Sequence, residues 1–494
     1  ALDGAVHAIE RIDTHGAVVF LAGSDVYKVK RAVRFPFMDF STLEKRRAAC
    51  EHEMAVNCRN APELYRGTVP IRRDAKGLCL GGTQGAIIEW AVHLTRFDEA
   101  KTFDRLAGQG ALDLDLMAQL AETIASAHAR APIGASNAPQ MLRRRLEDTL
   151  DGLTAAGDIF PADEVSALRQ SCLALFTEVE PVLMARASAG QVRLCHGDLH
   201  LRNIVVYKGR PVLFDAIEFD DSIATCDILY DFAFVLMDLW QRGLHLHANH
   251  LFNLYLWRVD EAAAVLAGLV ALPLFLAQRA AIRARVTAAL CRLEPQGREE
   301  KMAEARRFFA AAQAFLQTAP VGLIGIGGLS GSGKSTLAKA LAPLIGRAPG
   351  AVHLRSDIER KRLFNASAND RLPVEAYHVD ITAKVYDRLH QLAAIALQAG
   401  HSVIIDAVHA RPEERDALAD LAARMSVSFT GLWLEAPTEM RVARVEAREN
   451  DASDAKAPIA RAQLNLELGP IDWQKLDASR PTAELIETVL KAIG

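Results

Sequence analysis

The sequence predicts an α/β multidomain protein: a bilobal α+β part, followed by an α/β domain built on a parallel sheet. Three observations predict it. Strand-like runs and sharp turns crowd residues 1–95, whereas helical periodicity dominates 96–317. From residue 321 onward, short apolar strands alternate with helices, the pattern of parallel βαβ units. At the head of this second part, Val321–Ile326 runs through Gly328-Leu329-Ser330-Gly331-Ser332-Gly333-Lys334-Ser335 into a helical pattern from Thr336. G-x-x-x-x-G-K-S between a buried strand and a helix is a phosphate-binding P-loop.

A chain of 494 residues exceeds one ordinary core and implies about three domains or lobes. The expected divisions are 1–95, 96–317, a linker at 318–320, and 321–494. Half the residues are hydrophobic and 24% are charged, an ordinary globular composition. A net charge of −4 and the lack of a basic, aromatic-interleaved stripe argue against nucleic acid as a partner. Seven scattered cysteines with no C-x-x-C pair suit a reducing cytoplasm. The opening residues show no basic segment followed by an apolar core, so no signal peptide is visible. The longest apolar run, Ala262–Ala277, is short for a membrane span and holds Pro273. A buried helix is expected there, and no membrane association.

In chain order, residues 15–31 predict a hairpin whose second strand carries Lys28 and Lys30 on one face, because strand side chains alternate. A charged helix follows over Ser41–Asn57, with Ser41 as N-cap and Glu44 completing a capping box. Strands come next at 68–82 and 84–90, then helices over 98–130 and 139–188. Short strands with sharp loops occupy 191–220, and 227–317 is helical again.

The stretch 196–215 holds the second motif: His196-Gly-Asp198-Leu-His200-Leu-Arg-Asn203, then a strand, then Phe214-Asp215. An Asp five residues before an Asn, with a later strand-end Asp, gives one base and two metal-facing groups. Asp198 would accept a hydroxyl proton, and Asn203 and Asp215 would hold magnesium at nucleotide phosphates. Loop-capping in a tight turn is the competing explanation. HGDLHLRN resembles the catalytic loop of the aminoglycoside phosphotransferase branch of the protein-kinase-like fold. The resemblance spans roughly residues 10–310 and is strongest at 196–233. It implies Asp198 as base, Asn203 and Asp215 as metal ligands, and the hairpin as part of an ATP-covering lobe. It also implies a phosphate-contacting lysine, Lys28 or else Lys30, and a carboxylate partner, Glu53 or else Glu51 or Glu44. Ile87-Ile88-Glu89-Trp90 looks like the hinge that pairs with adenine, and Asp231 like a buried structural carboxylate. No acidic cluster suited to a polycationic antibiotic is present.

In the second part, the backbone from Gly328 through Gly333, with Lys334, Ser335 and Thr336, would cradle phosphates. Lys334 would reach the β/γ-phosphates and Ser335 would ligate magnesium. Strands ending at Arg355-Ser356-Asp357 and at Asp406 bring further carboxylates to the same sheet edge. A plain helix N-cap is the alternative for Asp357. This half resembles P-loop kinases that phosphorylate hydroxyls: gluconate kinase-like enzymes, zeta toxins and polynucleotide kinase. Ser356-Asp357-x-x-Arg360 carries the match. The resemblance implies that Asp357 deprotonates the acceptor, Arg360 steadies phosphate or substrate, and Asp406 stands at the magnesium. Arg444 and Arg448, one helical turn apart, resemble lid arginines, and Arg411 with Arg415 forms a similar pair.

The expectation is therefore a bifunctional, cytoplasmic, ATP- and Mg2+-dependent phosphotransferase acting on hydroxyls of small molecules such as sugars or polyols. The alternatives are a nucleic-acid 5′-hydroxyl kinase in the second half, or one module sensing nucleotide for the other.

Overall fold

The computed structural model describes residues 9–493 except 15, 36–37, 76, 136, 294–296, 368–369, 448–452, 455–460, 462 and 464–465. Contacts divide the chain into two compact units. One holds the residues up to Arg145 with Met184–Asp238, and the other Leu146–Leu183 with the chain from Leu239 onward.

The first unit begins with β1 (Ile9–Asp13), β2 (Ala17–Ala22) and β3 (Asp25–Lys30), then short β4 (Arg34–Phe35) and β5 (Met38–Asp39). Helix α1 (Leu43–Asn57) precedes β6 (Tyr65–Asp74), β7 (Gly77–Leu80) and β8 (Ala86–Thr95). The main sheet is antiparallel, in the order β1-β2-β3-β8-β6-β7. The predicted hairpin forms with Ala17 opposite Lys30 and Ala22 opposite Asp25. Gly23 opens its turn at a φ of 60°, which a Cβ would disfavour. The cap of α1 differs from the expectation. Thr42 accepts from the Lys45 N–H, whereas the Ser41 hydroxyl and N–H both donate to Asp39. A carboxylate acceptor two residues back draws Ser41 away from the helix end.

Helices α2 (Phe103–Gly108), α3 (Leu114–Arg130), α4 (Ala138–Thr154) and α5 (Ala162–Ser188) follow. Then come β9 (Val192–Leu194), the hairpin β10 (Ile204–Tyr207) and β11 (Arg210–Leu213), α6 (Asp221–Ala224), β12 (Thr225–Asp227) and α7 (Ile228–Gln241). Cys50 of α1, Tyr65 and Val92 of the sheet, and Val205 and Val212 of the β10–β11 hairpin form one apolar cluster. That cluster seats the hairpin, and with it the loops at either end, beneath α1 and the sheet.

The second unit contains α8 (His245–Arg258), α9 (Ala262–Gly268), α10 (Leu272–Leu293) and α11 (Arg298–Phe315). The run from Ala262 to Arg292 is long and apolar enough to cross a membrane, but 83% of its most apolar window is buried inside the protein. Pro273 sits at the second position of α10, where its missing N–H has no intrahelical partner to lose.

Beyond it lie β13 (Gly322–Gly327), α12 (Lys334–Leu341), β14 (Val352–Arg355), α13 (Ser356–Leu363), α14 (Val379–Gln398) and β15 (Val403–Asp406). The chain continues through α15 (Pro412–Met425), β16 (Ser428–Glu435), α16 (Thr438–Glu446), β17 (Gln474–Asp477) and α17 (Thr482–Ile493). The five strands are parallel, in the order β14-β15-β13-β16-β17.

The indole of Trp473 lies across β13 and β16 on a bed of glycines. A Cβ on Gly325, Gly327 or Gly431 would come within 2.6, 3.0 or 2.4 Å of that ring. Gly431→Ala should therefore destabilise the protein by about 1–3 kcal/mol through overpacking. The check is a lowered urea midpoint, with Gly67→Ala as a control, since a Cβ there meets nothing within 4 Å.

Candidate active sites

In the first unit, the alternation of β3 turns Lys28 and Lys30 toward α1, and Glu53 of α1 receives both. Lys28 Nζ lies 3.0 Å from Glu53 Oε1, and Lys30 Nζ 2.5 Å from Oε2. Glu53 is 0% exposed. Lys28 also reaches Asp215 at 2.9 Å, and Lys30 reaches Glu218 at 2.5 Å. The alternatives fall elsewhere: Glu51 pairs with Arg47 on the surface, and Glu44 lies in the exposed first turn of α1. Burial alone would lower Lys28, but Asp215, Glu53 and Glu218 outweigh it and raise its pKa well above the ordinary value. Burial likewise opposes Glu53, yet the two ammonium groups hold its pKa down. Asp215 is lowered chiefly by Lys28, against burial.

The loop at 196–203 is fixed from behind by the buried Asp231, which accepts the N–H groups of His196 and Gly197 at 3.3 and 2.8 Å. His128 Nε2 meets the same carboxylate at 3.2 Å. Burial lowers the His196 pKa, so the ring is neutral near pH 7. Its Nε2–H donates to the Phe214 carbonyl, and Nδ1 accepts the Asp198 N–H. This one ring links the loop of Asp198 to the strand end of Asp215. Asn203 Nδ2 donates to the Asp198 carboxylate at 2.9 Å and to its carbonyl at 3.0 Å. The Asp198 side chain remains 39% exposed to solvent. Asp215 itself adopts a left-handed φ of 58°, strain of the kind held at functional sites.

Glu89 lies inside β8 rather than in a connecting hinge. It is paired with Ile71 of β6, and its carboxylate is gripped by Arg46 at 2.8 Å. A hinge must leave the sheet, and Glu89 sits six residues before β8 ends, so the expected hinge role does not fit. The segment leaving β8 is Arg96–Asp98.

In the second unit, Gly328, Gly331 and Gly333 take φ values of 135°, 83° and 95°. A Cβ on Gly331 would come within 2.3 Å of the Arg441 carbonyl, so only glycine fits. Ser330 and Ser332 are buried in this loop, and Thr336 is an exposed residue in the first turn of α12, two residues after Lys334. Lys334 Nζ donates to the carbonyls of Gly328 and Leu329 at 2.8 and 3.2 Å. The Ser335 hydroxyl donates to Asp406 at 2.6 Å. Register puts Ile326, Arg355 and Asp406 level at the carboxyl ends of β13, β14 and β15. Asp406 is 4% exposed. Burial would raise its pKa, but a hydrogen bond from His353 and the charges of Arg355 and Lys334 drive it well below the carboxylate range.

Asp357 stands in the first turn of α13. Arg360, one turn on, donates to the Ala376 carbonyl at 2.6 Å and stacks on Tyr377 at 4.9 Å. Burial raises the Tyr377 pKa first, then the hydrogen bond and charge of Asp454, with Asp357 adding to them. From α16, Arg444 donates to the Ser332 and Ala478 carbonyls at 3.4 and 2.9 Å. Arg448 lies outside the described residues. Arg415 is no counterpart of Arg444. It is buried and donates to four carbonyls, of His409, Ala410, Leu468 and Pro470, so it braces loops.

Several site residues escaped the sequence reading. Glu218 follows Asp215 by three residues, and only the fold shows it facing Lys30. Arg441 donates to the Ser330 carbonyl at 3.3 Å, and Gln463 Oε1 accepts the Ser330 N–H at 2.7 Å. His353 meets Asp406 at 3.3 Å. The available signal for Arg441 was its place on the helix of Arg444; for Gln463 there was none.

Residues 23–255 match the phosphotransferase enzyme family, and residues 323–467 match an AAA domain. The chain is 30% identical over 482 residues to the uncharacterized protein Rv2004c of Mycobacterium tuberculosis, covering 95% of this chain and 92% of that one. It matches the uncharacterized protein Mb2027c of Mycobacterium bovis to the same extent. The chain belongs to their family. It is a kinase that joins a phosphotransferase-family module to a P-loop module. Among solved structures, a choline/ethanolamine kinase family protein from Mesorhizobium loti aligns over 64% of this kinase and 90% of its own chain, with TM-score 0.38 and 17% identity. The APS kinase CysC of Mycobacterium tuberculosis, in complex with AMPPNP and APS, aligns over 35% of this chain and 99% of its own, with TM-score 0.27 and 22% identity.

Oxygen donors dominate both candidate metal positions of this kinase: the Asn203 amide with the Asp215 carboxylate, and the Ser335 hydroxyl with the Asp406 carboxylate. Hard oxygen donors fit magnesium.

The ion pairs of the first site set a pH signature. Glu53 and Asp215 are lowered, so their contribution to stability is complete above the ordinary carboxylate range and is lost as pH falls through their folded values. Lys28 and Lys30 are raised, so theirs is complete below about pH 10 and lost above. Stability from this cluster should be flat from about pH 5 to 10. Asp215→Asn should flatten the acid limb of a urea-midpoint profile measured from pH 7 down to 3.

Proposed function

We propose that the chain is a bifunctional ATP-dependent phosphotransferase in which each module transfers a γ-phosphoryl group to a hydroxyl of a small molecule. In this reading the acceptors are sugar- or polyol-like metabolites, and the seven free cysteines suit a cytoplasmic location. One observation supports the reading: each module carries, in a phosphotransferase-type motif, a lysine and a carboxylate of the types that phosphoryl transfer uses. In the first module these are Lys28 and Asp198; in the second, Lys334 and Asp357.

In the first module Asp198 accepts the acceptor's hydroxyl proton while that oxygen bonds to the γ-phosphorus. The bond from that phosphorus to the β–γ bridging oxygen breaks, and ADP leaves. Lys28, oriented by Glu53, steadies the nucleotide phosphates. In the second module Asp357 takes the proton, and Lys334 and Arg444 meet the charge that spreads over the transferring group. Asn203 and Asp215 in one site, and Ser335 and Asp406 in the other, would hold magnesium, which would supply charge neutralisation at the phosphates. Positioning and electrostatics do the rest.

Single-site variants separate the halves. Asp198→Ala should lower turnover by the first module about 10²- to 10⁴-fold and leave the second intact. Lys334→Ala or Asp357→Ala should do the reverse. A metabolite library screened by mass spectrometry, with oligonucleotides in a parallel arm, reads this as a gain of one phosphate per acceptor. Loss of both activities in any one variant would overturn independent transfer, and label on oligonucleotide ends would replace the small-molecule acceptor.

A further inference from the structure

Strand β14 lies at the edge of the parallel sheet, with β15 as its one strand neighbour among the described residues. An edge leaves a row of N–H and C=O groups without partners. Here the row is met by side chains of helix α8. Asn249 Nδ2 donates to the carbonyls of Pro349 and Ala351 at 3.0 and 3.1 Å, and Asn253 Nδ2 donates to Ala351 at 3.2 Å. Asn253 Oδ1 accepts the His353 N–H at 2.7 Å, and Trp257 Nε1 donates to the His353 carbonyl at 2.8 Å. The spacing makes the match. Four residues of helix rise about 6 Å, and two residues of strand about 6.6 Å. Asn249, Asn253 and Trp257 therefore act as a substitute neighbouring strand.

Both backbone groups of His353 are thus held by α8, and its ring stands edge-on to Trp257 at 5.4 Å. Its Nε2 faces Asp406 Oδ2, the same oxygen to which Ser335 donates. An ionised carboxylate only accepts, so Nε2 carries the proton and donates. Arg355, two residues on and on the same side of the strand, lies 3.5 Å from that oxygen and over the Trp257 ring at 5.5 Å.

We propose that His353 is a positioning residue for the metal site of the P-loop module, held in register by Asn249, Asn253 and Trp257 of α8. It keeps the Asp406 carboxylate turned toward Ser335 and away from a full pairing with Arg355. Asn249 and Asn253 fall within the stretch that matches the phosphotransferase family, yet α8 lies in the same compact unit as the P-loop sheet. The proposal rests on Asp406 and Ser335 being the metal-facing pair.

The test uses the full chain carrying Asp198→Ala, with ATP turnover to water as the assay. His353→Ala should raise the Mg2+ concentration for half-maximal turnover about 10- to 100-fold, the usual loss when an outer partner of a metal ligand is removed. ATP binding in EDTA should change little. His353→Gln, whose amide can donate to Asp406, should restore most of the Mg2+ response. Asn253→Ala should shift it in the same direction by less. A second readout counts Mn2+ bound in the presence of ATP by electron paramagnetic resonance, the P-loop share being what Ser335→Ala removes. His353→Ala should weaken that share selectively. Folded His353→Ala and Asn253→Ala proteins with wild-type Mg2+ and Mn2+ profiles would overturn the proposal, as would a His353→Gln protein no better than His353→Ala. If His353→Ala does not fold, Asn253→Ala and His353→Gln decide: a wild-type Mg2+ response in Asn253→Ala refutes it. If Ser335→Ala removes no bound Mn2+, the metal-facing pair itself is wrong, and that failure is seen without any His353 variant.

Discussion

A carboxylate taken out of water must be met by cations and hydrogen-bond donors, because the desolvation of an unpaired charge costs several kcal/mol or more. Each candidate site is arranged around one such group. Glu53 is wholly buried and divides its two oxygens between Lys28 and Lys30. Asp406 is nearly so and gathers Ser335, His353 and Arg355. The geometry of the surrounding elements follows from these demands: α1 must lie against β3, and β14 must run level with β15.

The two sites meet the same constraint in different ways. In the first, the compensating charges come from lysines that would also touch substrate phosphates, so the ion pairs and the binding function share the same atoms. Asp215 and Glu218 extend the network to the strand end beyond the 196–203 loop, which couples the sheet to that loop within one unit. In the second, Lys334 turns back onto loop carbonyls, and the buried carboxylate is held by Ser335 of the loop together with His353 and Arg355 of β14. Its support reaches through β14 to α8. The division of the chain reflects this, since α8 through α11 belong to the same compact unit as the P-loop sheet.

Much of this was legible in the chain. G-x-x-x-x-G-K-S fixes its own conformation, because the required backbone angles admit glycine at three places and the following helix starts where the glycines end. The hairpin at β2–β3 was readable because period-two alternation and a Gly-Ser turn agree. Local competition was harder to read. Ser41 and Thr42 are both good caps, and the choice fell to Thr42 because Asp39 claims Ser41. The hinge assignment at Glu89 failed for a related reason. Nothing local says where a ten-residue strand stops, and β8 runs on to Thr95 because β3 and β6 pair with it from both sides.

By itself the sequence determined two kinase-type modules and their order, since strand–loop–helix patterns and motif spacings are properties of neighbouring residues. Which lysine meets which glutamate was decided only by tertiary structure. So were the turn of Glu218 toward Lys30 and the pairing of a helix face at Asn249, Asn253 and Trp257 with a strand one hundred residues away. Those contacts join groups distant in the chain, and they form because buried polar atoms must find partners wherever packing brings them.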